Sequence, residues 1–250
     1  MNTNKFDKKG SVYAKARPSY PEELFLYLVS KSIIDKDKTV ADIGSGTGIF
    51  TAQLSPFAKM VFAVEPNEDM RNKAKDKLSL YSNISSVNAA AEDTSLSESS
   101  VDLITVAQAF HWFDRASFKK ECKRILKPSG KVLLVWNDRD LKSEVIKDNF
   151  AVNKIFCPNF KGSSNGMDFS KESFKDFFDG EYEVREFDNS LVYDRDTFIA
   201  RSLSSSYAPK ETDIQYAEYT NALETVFEKH QVNGSVIYPY ITRCYIGTVL

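Results

Sequence analysis

The chain opens with a polar stretch, and apolar residues then recur at roughly helical spacing at Leu24, Leu28 and Ile33–Ile34. Pro21 suits a first helical position, and Glu22 and Glu23 suit the positive end of the helix dipole. From Thr39 onward the pattern changes to short apolar runs alternating with amphipathic stretches. The runs Val40–Ile43, Met60–Val64, Ile84–Ala90, Val101–Val106 and Val132–Trp136 predict five strands. Between them, Ile49–Phe57, Asn67–Leu80 and Arg115–Leu126 predict helices, and Lys127-Pro128-Ser129-Gly130 predicts a turn before the fifth strand. Strands alternating with helices build parallel βαβ units, so the expected class is α/β with a doubly wound, mostly parallel sheet.

Beyond Asp138 the pattern is looser. Helices are predicted over Leu141–Phe156, Lys171–Phe178, Asp196–Leu203 and Asp213–His230, with a Gly/Ser/Asn loop at Gly162–Gly166. Tyr182–Tyr193 and Val236–Leu250 read as strands, the second bent at Pro239. Two late strands flanking helices predict an antiparallel C-terminal edge on the parallel sheet, with helical insertions capping the ligand site. The expected organisation is a single domain over 1–250. Its first part, 1–138, holds an N-terminal arm and the cofactor half, and 139–250 closes the sheet and selects the substrate.

The strongest chemical signal is Asp42-Ile43-Gly44-Ser45-Gly46-Thr47-Gly48 at the end of the first strand. Open α/β sheets bind ligands there, and glycines allow sharp backbone turns and close approach. A dinucleotide fingerprint would place its third glycine at position 49, where Ile49 stands. A second acid, Glu65, ends the second strand, 65 − 48 = 17 residues past the last glycine. An acid in that position can accept hydrogen bonds from both hydroxyls of a ribose. No lysine lies between Asp42 and Leu54, so a diphosphate would lack its usual partner. The pattern suits an adenosine without phosphates.

Composition narrows the partners. The 250 residues carry 33 Lys+Arg against 35 Asp+Glu, a net charge of −2, which supplies none of the basic excess that nucleic-acid binders show. Hydrophobic residues at 42% are enough for a packed core. Cys122, Cys157 and Cys244 have no metal-ligand spacing, so free thiols in a reducing cytoplasm and no metal are expected. There is no apolar run of membrane-spanning length. The expected partner is a small-molecule substrate, with neither nucleic acid nor membrane.

These features in this order resemble the class I S-adenosylmethionine-dependent methyltransferases, and within them the methyltransferase-type-11 group with its trans-aconitate methyltransferase-like members. The match runs from about Tyr13 to Trp136. Asp42–Gly48 resembles the methionine-binding loop, and Val64-Glu65-Pro66-Asn67 the ribose-binding acid. Ala91-Glu92-Asp93 resembles the segment near the adenine amino group. Val101–Ile104 with Ala107-Gln108-Ala109-Phe110-His111-Trp112-Phe113 resembles the fourth-strand motif of the group. Tyr13–Pro21, with Arg17, resembles an arm that closes over the cofactor.

The resemblance implies S-adenosylmethionine as cofactor, S-adenosylhomocysteine as product, and Tyr13, Arg17, Asp42, Gly44, Ser45, Gly46, Gly48, Glu65, Pro66, Asn67, Met70, Ala91, Glu92, Asp93 and Gln108 around it. Asp93 is read either as an adenine acceptor or as part of a solvated face, and Met70 either as an adenine contact or as core.

On the substrate side, His111 is read as a general base or as pocket wall, with Phe110, Trp112 and Phe113 lining an apolar pocket. Arg201 and Arg243, with Arg17, are candidate anchors for a carboxylate, and Tyr20 and Tyr207 their hydrogen-bonding neighbours. His230 is read as a helix-dipole partner. Nucleic-acid amino-methylases of this fold carry D/N-P-P-Y/F after strand four, where Ala107-Gln108-Ala109-Phe110 stands here. The expected reaction is methyl transfer to oxygen of a small organic molecule. A S-adenosylmethionine-binding module without transfer and a nicotinamide dehydrogenase are the rivals.

Overall fold

The structure, a computed structural model, describes residues 18–162, 174–180 and 182–249. Tyr13 and Arg17, and most of the N-terminal arm, lie outside the described residues. In chain order the elements are α1 (Glu22–Ser30), β1 (Thr39–Ile43), α2 (Ile49–Leu54), β2 (Met60–Val64), α3 (Glu68–Leu78), β3 (Ile84–Val87) and β4 (Val101–Ala107). Then come α4 (Arg115–Ile125), β5 (Leu126–Arg139), α5 (Glu144–Phe156), β6 (Glu183–Asp188), β7 (Leu191–Tyr193), α6 (Arg195–Leu203), α7 (Tyr216–His230), β8 (Val236–Tyr238) and β9 (Tyr240–Gly247).

Seven strands form one sheet in the order β3-β2-β1-β4-β5-β9-β6. The pairs β1–β2, β1–β4, β2–β3 and β4–β5 are parallel, and β9 runs antiparallel to both β5 and β6. The sheet is doubly wound and mostly parallel with an antiparallel addition, as the alternation of runs predicts. Both faces are covered, which is why the strands read as continuous apolar runs. Along β5, Val132, Leu134 and Trp136 pack on one side with α4 residues Phe118 and Cys122. Leu133 and Val135 pack on the other with α1 residues Leu24, Phe25 and Leu28. Helix starts are chemically marked: Asn67 accepts from the Met70 N–H at 2.9 Å, and Asp114 accepts from the Ser117 N–H at 2.8 Å.

Several boundaries differ from expectation, each for a physical reason. The fifth strand runs from Leu126 to Arg139, and Lys127–Gly130 is taken up as a shift of register against β4 between Val101 and Leu103. Tyr182–Tyr193 is two strands in two sheets, because Asn189-Ser190 interrupts it and β7 pairs with β8 instead. Pro239 divides the last segment in the same way, sending Val236–Tyr238 to β7 and Tyr240–Gly247 into the main sheet. The C-terminal strand is therefore interior, and β6 forms the edge. Its charged Glu183, Arg185, Glu186 and Asp188 suit an edge strand, while β9 is almost wholly buried.

A separate core joins α5, α6, α7 and β8 through Ile146, Phe198, Tyr219, Leu223, Val236 and Tyr238. This gives the helical insertion its own apolar interior. Among the described residues, no helix is long and apolar enough to cross a membrane.

Candidate cofactor and substrate site

The parallel strands β1, β2, β4 and β5 all end at one side of the sheet, and a cavity of about 600 Å³ opens there. At the end of β1 the chain turns through Gly44, Gly46 and Gly48, with φ of 70°, 57° and 74°. Gly44 is irreplaceable on two counts, since a Cβ there would lie 2.6 Å from the Ala109 Cβ and 3.2 Å from the Phe113 ring. The amides of Gly44 and Ser45 both donate to the Val64 carbonyl, at 2.8 and 3.1 Å. Glu65 completes the tie, its two carboxylate oxygens accepting from the Gly46 N–H at 3.0 Å and the Asn67 N–H at 2.9 Å. Burial raises the Glu65 pKa, and those two N–H groups and the nearby Arg71 oppose the rise.

Asp42 sits beneath the loop, fully buried. Its two oxygens accept from the Thr51 hydroxyl at 2.6 Å and the Thr105 hydroxyl at 2.8 Å, tying β1 to α2 and β4. Burial pushes its pKa up to about 6 against those two hydroxyls, and the negative Glu65 adds to the rise. Gln108, at the end of β4, also holds a positive φ of 60° and donates from Nε2 to the Asn137 carbonyl at 3.3 Å. Strain of this kind persists only where the surroundings over-determine it.

Of the residues singled out in the sequence, the cavity wall brings together Tyr20, Asp42, Gly44, Ser45, Gly46, Glu65, Pro66, Asn67, Met70, Ala91, Gln108, His111, Trp112, Phe113, Arg201 and Tyr207. Six others are placed elsewhere. Gly48 is not on the wall, and its turn packs against Leu78. Phe110 is fully buried in the aromatic core, 4.8 Å from Phe177 and 6.3 Å from Trp136 between ring centres. Glu92 accepts from the Asp114 N–H, and Asp93 also lies off the wall. Arg243 donates from Nε to Glu186 at 2.7 Å across the β6–β9 pair, with Asp138 at 3.4 Å. His230, at the end of α7, meets Asp148 at 2.6 Å.

The wall also holds residues the sequence reading passed over: Asn137, Arg139, Asn159, Lys161, Ser204–Ser206 and Tyr240. Asn137 is a hub. It donates to the Ser19 carbonyl at 3.2 Å, and its Oδ1 accepts from Asn189 at 3.1 Å and from the Thr242 hydroxyl. Asn189 also donates to Ser19, and Gln53 bonds the Tyr20 backbone on both sides. The segment Pro18–Tyr20 is thereby fixed along the cavity rim. Arg139 ends β5 as a charged residue, but the polar pair Asn137-Asp138 before it breaks the apolar run that would have pointed to it.

The cavity is polarised. Its acids, Asp42 and Glu65, lie at the β1 and β2 ends, and its cations, Arg139, Lys161 and Arg201, come from β5 and the insertion. Among the described residues, no group of His, Cys, Asp and Glu could hold a metal ion. The acidic end fits S-adenosylmethionine: a carboxylate stands at the strand end for a ribose, the turn is open at Gly46, where a Cβ would meet nothing closer than 4.0 Å, and no loop lysine calls for phosphate.

Comparison with known proteins agrees. Residues 41–134 match the family profile described as a methyltransferase domain. A methyltransferase-like protein of Schizosaccharomyces pombe, itself uncharacterized, is 36% identical over 129 residues, 51% of this chain and 49% of that protein. A Saccharomyces cerevisiae protein named a probable S-adenosylmethionine-dependent methyltransferase is 32% identical over 122 residues, 47% of this chain and 42% of that one. The chain spans about half the length of the curated relatives it matches. In fold it is similar to a protein of Anaeromyxobacter dehalogenans assigned as a type II methyltransferase, at TM-score 0.67 and 22% identity, over 94% of this chain and 98% of that one. Over the glycine turn and the strands that carry the acidic end of the cavity, residues 41–134 are thus similar to a methyltransferase domain, and the fold is similar to that of a methyltransferase.

Proposed function

We propose that the chain transfers a methyl group from S-adenosylmethionine to an oxygen of a small organic molecule. The observation that carries this reading is the single cavity whose wall runs from Glu65 and the glycine turn to Arg201 and Tyr240. It has room for a donor and an acceptor side by side. When bound, S-adenosylmethionine supplies a sulfonium methyl; the acceptor oxygen's lone pair makes the new C–O bond as the C–S bond breaks, and that pair stays on sulfur.

The chain's own residues position and exclude. Glu65, held by Gly46 and Asn67, offers its remaining lone pairs to the ribose hydroxyls. Gly44 to Gly46 form the floor, with Met70 and Trp112 on the wall as apolar surface. Asp42 has both oxygens committed to Thr51 and Thr105, so it holds the turn in shape. The Pro18–Tyr20 segment and the insertion limit water, which lets positioning supply much of the rate. A carboxylate acceptor releases no proton. A hydroxyl acceptor releases one, and His111 on the wall offers an imidazole to take it.

Calorimetry with S-adenosylmethionine and S-adenosylhomocysteine tests the reading. Binding of at least one at ~100 μM is expected. Absence of both would sink it. Binding without labelled methyl transfer into a metabolite extract would favour the non-catalytic rival.

A further inference from the structure

Arg201 is 4% exposed yet forms part of the cavity wall. Its Nε donates to the Tyr240 hydroxyl at 2.7 Å and one Nη to the Ser202 hydroxyl at 3.2 Å. The Tyr238 ring lies beneath it, with the guanidinium carbon 4.0 Å from the ring centre. All of these partners are neutral, and among the described residues no carboxylate pairs with it. Tyr240 stands opposite Arg139 in the β5–β9 register, and both line the same cavity. The two guanidinium groups and Lys161 thus give this wall positive charge, which Tyr207 and the serines at 204–206 surround with hydroxyls.

A buried guanidinium held only by hydroxyls and a ring face is short of its natural counter-charge. The phenols soften this. Burial by itself would raise the Tyr240 pKa, but Arg201 and Arg139 outweigh it and the net shift is downward. Hydroxyl and ring partners also leave the planar fork in place, and such a fork matches a carboxylate. The sheet order separates this end from the cofactor end. β1 and β9 are three strand positions apart, about 14 Å.

The geometry points to Arg201, fixed by Tyr240 and Tyr238, as the anchor for a carboxylate of the methyl acceptor. The substrate class is therefore a small organic acid. This inference rests on the methyl-transfer reading for the word acceptor, but the anchor itself is testable without it.

The experiment titrates the protein, with and without saturating S-adenosylhomocysteine, with succinate, citrate and 4-hydroxybenzoate. Succinamide and 4-hydroxybenzamide serve as neutral counterparts and inorganic phosphate as the other anion. Binding of at least one acid is expected, with the corresponding amide about tenfold weaker or more, and phosphate weaker than the acid. Arg201→Met should erase the acid preference while binding S-adenosylhomocysteine like wild type, and Arg201→Lys should keep part of it. If Arg201→Met does not fold, Tyr240→Phe decides, with an expected partial loss of acid affinity.

The anchor is overturned if no acid binds, if acid and amide bind alike, if phosphate binds better, or if the deciding variant leaves the preference intact. Failure of S-adenosylhomocysteine to bind strikes the methyl-transfer reading alone, because the acid titration without it still decides the anchor.

Discussion

The two ends of the cavity solve opposite problems with buried charge. At the β1–β2 end, Asp42 and Glu65 spend hydrogen-bonding capacity on the protein itself, through Thr51, Thr105, Gly46 and Asn67. Their charge is already answered by N–H and O–H donors, and the result is a rigid turn suited to a neutral polyol. At the β9–α6 end, Arg201 meets, among the described residues, only neutral hydroxyls and ring faces, and its charge is left for something else to answer. One end is built for shape, and the other for charge. The difference teaches that burial of a charged group indicates a ligand only after its partners have been counted.

The sharpest way to break this picture is to spoil the shape-built end. Gly44→Ala places a Cβ against Ala109 and Phe113 in a left-handed backbone. A loss of about 3 kcal/mol is expected in chemical denaturation, together with loss of S-adenosylhomocysteine binding. Gly46→Ala is the control, since its φ is also positive but its Cβ faces open space. It should cost about 1 kcal/mol. Equal losses from the two would show that the close approach of Gly44 to the β4 loop is unimportant.

The same end makes a pH prediction. Asp42 has a pKa of about 6 in the folded state against an ordinary 3.8, so folding takes up a proton between those values. Its contribution to stability is fully present below the unfolded value and is lost as pH rises through about 6. The loss across that window is on the order of 2–3 kcal/mol. Asp42→Asn should flatten the wild-type slope of unfolding free energy between pH 4 and 7. An unchanged slope would mean that the carboxylate is solvated in a way its hydrogen bonds do not suggest.

Glu65→Gln comes next in size. Gln presents one oxygen and one NH₂ where two backbone N–H groups donate, so one of them loses its acceptor. S-adenosylhomocysteine affinity should fall about thirtyfold in calorimetry, with the fold retained. A fall of less than about threefold would move the ribose acceptor elsewhere.

How much of this was legible in the sequence follows the same division. Val40–Ile43 and Val132–Trp136 are apolar because both sheet faces are covered, and that local pattern survives in any one sequence. The glycine turn and Glu65 are legible because their constraints are local: positive φ, a strand end, a missing lysine. The far wall depends on long-range pairing. Tyr240 reaches Arg139 only because β9 inserts beside β5, and Arg201 reaches Tyr240 across 39 residues. No periodicity announces such a meeting. Phe110 misled for a related reason: it lies in the chain beside the wall residues His111 and Trp112, but the short 3₁₀ turn Phe110–Trp112 directs it into the aromatic core. Arg139 was hidden because polar Asn137 and Asp138 end the apolar run at Trp136, although both are buried in the fold.

Arg243 offers the smallest effect and the cleanest contrast with Arg201. Both are arginines of the C-terminal half that the sequence alone ranks alike. Arg243, however, lies partly exposed across the β6–β9 pair with Glu186 and Asp138 as anionic partners, and it is absent from the cavity wall. Partly exposed ion pairs of this sort contribute little, because solvent screens them and ordering two long side chains costs entropy. Arg243→Ala should therefore change unfolding free energy by less than about 1 kcal/mol and leave the affinity for succinate, citrate and 4-hydroxybenzoate within about twofold of wild type. A loss of acid affinity comparable to that of Arg201→Met would mean that positive charge anywhere near β9 is sufficient. The distinction drawn between an answered and an unanswered guanidinium would then fail.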